Sequence, residues 1–239
     1  MKPLIKLELA NRLREHIVSG VLSPGMRIVE ATWGRRLDVA QGSIREAINL
    51  LMQEGFVTKS SGRSARVISL SEEDVLNIYE LRGAIEGLAA RLAAERGCDT
   101  GKLEEAIEKM RKAAMLDRCS ELLDADLSFH LELCSLSRNP YLIEQARRVL
   151  LPFFAFVRIR AITMGQDTSA WTKDLGAHQR IVDLLREGEG DVVEHYVSRA
   201  MSHFAETAYN NWRKELPVLK RSIKSKNRKG SHDTFRDKK

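Results

Sequence analysis

The fold of the N-terminal part of this chain is decided by residues 41–58, QGSIREAINLLMQEGFVT. Apolar residues return there at spacings of three and four, which predicts a helix with one buried face carrying Ile44, Ala47, Ile48 and Leu51. Gly55 is the type of residue that ends a helix, because it tolerates the left-handed conformation. The segment Phe56-Val57-Thr58-Lys59 behind it predicts a strand.

The residues on either side complete a small domain. Leu9, Leu13 and Ile17 predict a first helix, and Ser23-Pro24-Gly25 predicts the turn that ends it. A second helix fits Glu30–Leu37, and a second strand fits 65–68, joined to the first strand by a hairpin over 60–64. Three helices followed by a two-stranded wing predict a winged helix-turn-helix.

The third helix has a polar outer face that could contact DNA. Gln41, Arg45 and Asn49 are four residues apart, so they lie on one side of that helix. Arg can bond guanine through two hydrogen bonds, and Gln and Asn can bond adenine. The other candidate contacts to bases or phosphates are Arg35 and Arg36 on the second helix, Ser43 on the third, and Arg63 and Arg66 on the wing. The alternative is that this face is simply a solvated one.

From Ser71-Glu72-Glu73-Asp74, a helix start with a capping hydroxyl, only helices are predicted. The first carries an apolar stripe of Val75, Ile78, Leu81, Ile85, Leu88 and Leu92. Further helices fit 100–117, 120–137, 140–163, 171–187 and 191–215, and Pro152 should kink the fourth of the six. We therefore expect a mainly α chain: a winged helix-turn-helix in 1–70, a bundle of about six helices in 71–216, and a basic, disordered tail in 217–239.

The charge of +6 is divided unevenly along the 239 residues. The first 70 residues carry a net +5 and residues 217–239 a net +7, whereas residues 71–216 carry a net −6. A basic head suits a polyanion such as DNA. The absence of a bilayer-length apolar run, of a signal peptide and of paired cysteines predicts a cytoplasmic protein without a membrane partner.

Four residues of the helical part could form a metal site. Asp126 and His130 are at i and i+4 and point the same way, and His178 and His203 lie on two later helices beside apolar residues. This ligand set suits a divalent ion, with zinc as the first candidate and nickel, manganese or iron as alternatives. The competing interpretation is that the histidines are structural core residues. Arg82, Arg158 and Arg160 could hold a carboxylate or phosphate of an effector.

Residues 9–70 resemble the N-terminal domain of the GntR family of bacterial regulators. The resemblance is carried by Gly20-x-x-x-Pro24-Gly25 and by Ile44-Arg45-Glu46-Ala47-Ile48-x-x-Leu51-x-x-Glu54-Gly55-Phe56-Val57. It implies that Arg45 and the position of Gln41 contact DNA. The chain departs from the family in Ala40-Gln41-Gly42-Ser43, where Ser-Arg-Thr-Pro is usual, and in Trp33-Gly34, so the usual operator is not expected.

Residues 71–215 resemble the helical effector-binding (FCD) domain of the FadR subfamily, in its shorter, VanR-like branch. The matching segments are Tyr79-Glu80-Leu81-Arg82-x-x-x-Glu86, Asp126-x-x-Phe129-His130, Asn139-Pro140-Tyr141-Leu142, His178-x-x-Ile181 and a late His203. The resemblance implies a divalent metal held by one Asp and three His, completed by a small carboxylate effector. His195 is the alternative to His203 as the last ligand.

Three functions follow from these features. The first is a homodimeric repressor or activator, with repression as the first expectation, that binds a double-stranded DNA operator and responds to a small organic acid. The second is a regulator for which the metal ion itself is the signal. The third is a metal-dependent hydrolytic enzyme, against which stand the DNA-binding head and the lack of an obvious general base. We expect a regulator and not an enzyme.

Overall fold

The computed structural model describes residues 3–59, 64–166, 168–169 and 175–207. The predicted basic tail, residues 217–239, and the wing residue Arg63 lie outside the described residues. Within them, no helix is both long enough and apolar enough to cross a bilayer.

The N-terminal unit consists of three helices and a short hairpin. The helices are α1 (Pro3–Val18), α2 (Glu30–Leu37) and α3 (Gln41–Gln53). The strands β1 (Val57–Thr58) and β2 (Arg66–Val67) pair antiparallel, with Val57 opposite Val67. Each strand is two residues long, shorter than the predicted four. The predicted winged helix-turn-helix is confirmed.

The second unit is helical throughout its described part. It comprises α4 (Glu72–Glu95), α5 (Gly101–Met115), α6 (Cys119–Leu136), α7 (Pro140–Met164), α8 (Leu175–Glu187) and α9, which is helical over 190–207. Ser71 caps α4 through a capping box with Asp74, as the sequence predicts. The predicted fold class is thereby confirmed.

The helix α4 lies at the centre of this unit and contacts α6, α7 and α8. The predicted apolar stripe describes it only in part, because Leu81 is 46% exposed whereas Arg82 and Glu86 are buried. The physical reason is that α4 is covered on several sides. Small residues let neighbours approach closely: a Cβ on Gly83 would stand 3.6 Å from the backbone of Ser198 in α9.

One hydrophobic cluster runs through both units. It contains the core of the N-terminal unit, including Leu13 and Leu51, together with Val75 of α4 and Phe153 and Phe154 of α7. A second cluster lies between α4, α5, α6, α8 and α9. The N-terminal unit and the helical unit therefore share apolar packing.

Candidate DNA-contact face and candidate metal centre

The helix α3 turns the predicted polar residues outward. Gln41, Arg45 and Asn49 are exposed, while its apolar residues, such as Ile44 and Leu51, are fully buried. The side chains that could reach base edges are thus on the side of α3 that faces away from the core.

Arg45 is held by a carboxylate of the neighbouring helix. Its Nε and Nη2 donate to the Glu30 carboxylate at 2.8 to 3.2 Å, and its side chain is 59% exposed. These hydrogen bonds lower the pKa of Glu30, which therefore stays ionised beside the guanidinium. The pair fixes the direction of Arg45 but leaves its outer edge open to water.

The other predicted DNA contacts are distributed over the same unit. Arg35 and Arg36 are exposed on α2, with the Arg36 guanidinium 4.9 Å from the Trp33 ring centre. Ser43 is half-buried. Arg66 is exposed and donates to the carbonyl of Gly25 at 2.9 Å, which ties the wing to the turn after α1.

Asp126, His130 and His178 come together between α6 and α8. One ligand atom from each lies within 4.8 Å of the others. Asp126 Oδ1 stands 3.2 Å from His130 Nε2 and 3.0 Å from His178 Nε2. The two imidazoles are buried, with Phe129 edge-on to both, and Asp126 is 14% exposed.

These distances fit a divalent ion. Bonds of about 2.0–2.2 Å to nitrogen or oxygen place neighbouring ligand atoms about 3–3.5 Å apart around a four- or six-coordinate ion. The set of two imidazoles and one carboxylate suits zinc, and it also suits the ions that prefer six ligands. The residues present therefore fit the metal that the sequence predicts.

The acidic and imidazole groups of the cluster shift one another's pKa values. Burial by itself would lower the pKa of His130, but the charge of Glu86 and the hydrogen bonds to Asp126 and Glu86 together outweigh it and raise that pKa to about 9. Burial would raise the pKa of Asp126, yet hydrogen bonds from His130 and His178 bring it well below its usual range. A metal ion that binds His130 at neutral pH would therefore have to displace a proton from it.

His203 does not join this cluster. It lies on α9, where it is exposed, and its ring neighbours that of Phe204 at 6.3 Å. The alternative ligand, His195, is also exposed on α9, and both line a surface groove of about 460 Å³ together with Tyr196 and Arg199. The structure brings together three of the four predicted ligands and places both candidates for the fourth on this groove.

The three predicted effector-binding arginines lie in different environments. Arg82 is buried next to the metal cluster, and its guanidinium is 5.0 to 5.4 Å from the ring centres of Tyr79, Phe153 and Phe154. Arg158 instead forms an ion pair with Asp124. Arg160 is half-buried on the same helix.

Glu86 is a part of the cluster that sequence reasoning missed. Its Oε1 accepts from Arg82 Nε at 2.6 Å, and its Oε2 lies 2.5 Å from His130 Nδ1. Burial would raise the pKa of Glu86, but the charges on Arg82 and His130 lower it to about 2. The signal in the sequence was the spacing of four from Arg82, which is equally typical of an exposed helix pair.

Comparison with known proteins adds independent evidence. The model for bacterial regulatory proteins of the gntR family matches residues 5–67, and the model for the FCD domain matches residues 77–203. Together these two models cover most of the chain, and the FCD model alone covers more than half.

Named relatives are transcriptional regulators. The chain is 31% identical over 134 residues to the Nta operon transcriptional regulator of Aminobacter aminovorans. The aligned segment covers 55% of this chain and 63% of that protein. It is 24% identical over 216 residues to a probable D-xylose utilization operon transcriptional repressor of Paenarthrobacter nicotinovorans, covering 88% and 93%.

Solved structures share the fold. McbR/YncC of E. coli superposes with a TM-score of 0.67 at 17% identity, over 87% of this chain and 98% of that one. The family is one of transcriptional regulators rather than of enzymes. The chain belongs to the GntR family of bacterial DNA-binding transcriptional regulators, with an FCD domain behind its helix-turn-helix.

Proposed function

We propose that this regulator binds a specific operator as a homodimer and releases it when a small organic acid binds at a divalent metal in the helical domain. The observation that carries the proposal is the convergence of Asp126, His130 and His178 from two helices on one buried point. Such a cluster lies in a domain attached to a DNA-binding head, so a ligand bound there can change the affinity of the head for DNA.

The DNA half of the proposal rests on α3. Arg45 and its neighbours on the exposed face would contact bases, and Arg45 would exchange Glu30 for guanine when the head enters the major groove. The proposed contacts to phosphates or the minor groove come from Arg35, Arg36, Arg63 and Arg66, with Ser43 as a small additional donor. A homodimer follows from how helix-turn-helix proteins use two heads on two half-sites.

The effector half rests on the number of ligands in the cluster. Three protein ligands leave positions on an ion for a carboxylate, and the metal would supply the charge that attracts it. Arg82 uses its Nε toward Glu86, so its outer nitrogens are the part that could meet a second carboxylate. Zinc is the proposed ion. The proposed DNA-binding domain is 1–70, and the proposed effector and dimerisation domain is 71–216.

A second candidate is a regulator for which the ion is the signal. The burial of the ligands favours it, since the imidazole side chains of His130 and His178 are only 5% and 6% exposed. Metal binding alone would then change the arrangement of the two heads. In either case, a ligand shifts the equilibrium only by the difference in its affinity for the two arrangements.

The test is fluorescence anisotropy of the full chain on DNA from upstream of its own gene, compared with scrambled DNA at about physiological salt. Selective binding that responds to organic acids only in the presence of zinc supports the first candidate. A response to zinc and chelator without any response to acids supports the second. His178→Ala should abolish the response, whereas His195→Ala, an exposed histidine outside the cluster, should preserve it. Binding that is equal on both DNAs and insensitive to zinc would overturn the proposal.

A further inference from the structure

Glu86 is the buried carboxylate directly behind the candidate metal centre. Its side chain is 1% exposed, and it touches Arg82 with one oxygen and His130 with the other. Apart from their mutual contact, neither Glu86 Oε2 nor His130 Nδ1 meets a hydrogen-bonding partner among the described residues. Among the described residues, Glu86 is therefore the polar group that contacts this edge of the His130 ring.

We propose that Glu86 is the positioning residue of the metal centre. By holding Nδ1 of His130, it directs the lone pair of Nε2 toward Asp126 and His178, which is the arrangement a metal ligand requires. This inference deepens the proposed function, on which it rests. It assigns to Glu86 a role in metal affinity that involves no contact with the metal.

Arg82 makes this arrangement possible. A carboxylate as deeply buried as that of Glu86 stays ionised only if a cation compensates for the lost water. The Arg82 guanidinium supplies that charge, and the rings of Tyr79, Phe153 and Phe154 surround it. Arg82 thus fixes Glu86, and Glu86 fixes His130.

Titration of the metal-free full chain with cobalt(II), followed by its visible absorption, tests this role. Glu86→Gln should weaken cobalt affinity by about 10–100-fold and change the absorption bands, the usual effect of losing the group behind a ligating histidine. Glu194→Gln is the matched control, since Glu194 is a half-buried acid of α9 that pairs with Arg91 of α4 rather than with a residue of the cluster. Wild-type affinity and bands in Glu86→Gln would overturn the proposal.

A purely structural role would lower stability without altering the bands. If Glu86→Gln fails to fold because Arg82 is left unpaired, the double variant Arg82→Met/Glu86→Gln removes both charges. Its cobalt affinity and absorption bands then test the proposal by the same criteria. Wild-type protein that takes up no cobalt would overturn the metal site itself, and this role with it.

A second inference comes from a contact between the two units. At Gly55, behind the C-terminal end of α3, a Cβ would stand 2.5 Å from Leu151 C and from Pro152 N of α7. The backbones of the two units thus touch without an intervening side chain. Pro152 has no amide hydrogen, so α7 lacks one ladder bond at this point and is more easily bent there.

The residues that follow Pro152 reach the metal centre. The Phe153 and Phe154 rings lie 5.0 and 5.3 Å from the Arg82 guanidinium, and the Phe154 ring centre is 5.7 Å from that of His130. We infer that α7, which continues through Pro152, carries the state of the metal centre to the end of the recognition helix. The inference rests on the proposed response to metal.

The test compares operator affinity in zinc with that in chelator, for wild type, Phe154→Leu and Pro152→Ala. Couplings of this kind are typically about 5–150-fold in affinity. Both variants should bring the ratio toward one, while Ile159→Val, a buried change farther along α7, should not. An undiminished ratio in the variants that fold would overturn the inference. A wild-type ratio of one would instead remove the metal response of the proposed function, and with it the coupling.

Discussion

Replacing Gly55 by alanine should destabilise the protein through two separate effects. Gly55 has a φ of +82°, a left-handed conformation that costs an L-residue about 1–2 kcal/mol. The added Cβ would also stand 2.5 Å from two backbone atoms of α7, and backbone cannot rotate away as a side chain would. Overpacking of this kind adds about 1–3 kcal/mol, so the total loss should be about 2–5 kcal/mol.

Gly97 provides the control that separates the two effects. Its φ is +61°, and a Cβ there would meet nothing within 4 Å. Gly97→Ala should therefore lose only the conformational part, about 1–2 kcal/mol. Urea unfolding of both variants, followed by far-ultraviolet circular dichroism, gives the difference, which should be about 1–3 kcal/mol. Equal losses in the two variants would refute the argument that α3 and α7 are in rigid backbone contact.

Three further predictions concern the DNA face, the metal centre and the thiols. Arg45→Ala should weaken operator binding by about 1–3 kcal/mol and reduce selectivity, whereas Arg12→Ala, an exposed arginine of α1, should leave selectivity unchanged in the anisotropy assay. Because the pKa of His130 is raised to about 9, zinc binding at pH 7 should release about one proton and weaken as pH falls below 9. Calorimetry in two buffers of different ionisation enthalpy measures this release, and identical heats would contradict it. Burial raises the pKa of the Cys134 thiol far above its usual range, so iodoacetamide at pH 8 should label the half-buried Cys98 before Cys134 in the native protein, as mass spectrometry of the digest would show.

The helices and the wing could be predicted because the local signals agree with the tertiary contacts. Glu30–Leu37 was predicted with the bounds that α2 has, and the other helices begin or end within a few residues of the predicted ones where the chain is described. The capping hydroxyl of Ser71 begins a helix and Gly55 follows the end of one, and the tertiary contacts leave both boundaries where the sequence predicts them. The strands were overestimated, because β1 has a partner along only two residues.

The fourth predicted ligand shows that a helical repeat does not by itself tell which face of the helix is buried. The buried residues of α9 are Val193, Val197 and Met201, at spacings of four. His195 and His203 each stand two residues after a member of this series, about 200° around a helix of 3.6 residues per turn. They therefore point away from the buried face. An apolar neighbour such as Phe204 does not determine which side of the helix a residue occupies.

The burial of Arg82 and Glu86 depends on information that a spacing of four does not contain. The same spacing stabilises an exposed helix pair by a few tenths of a kcal/mol and is common on surfaces. What distinguishes this pair is its surroundings, since the rings of Tyr79, Phe153 and Phe154 surround Arg82 and the His130 ring contacts Glu86. Desolvation makes a buried ion pair a weak source of stability, and apolar residues of similar volume often serve as well or better. The contact between Glu86 and His130 is the feature that apolar residues could not replace, which is the physical reason to connect this pair with the metal centre rather than with the stability of the bundle.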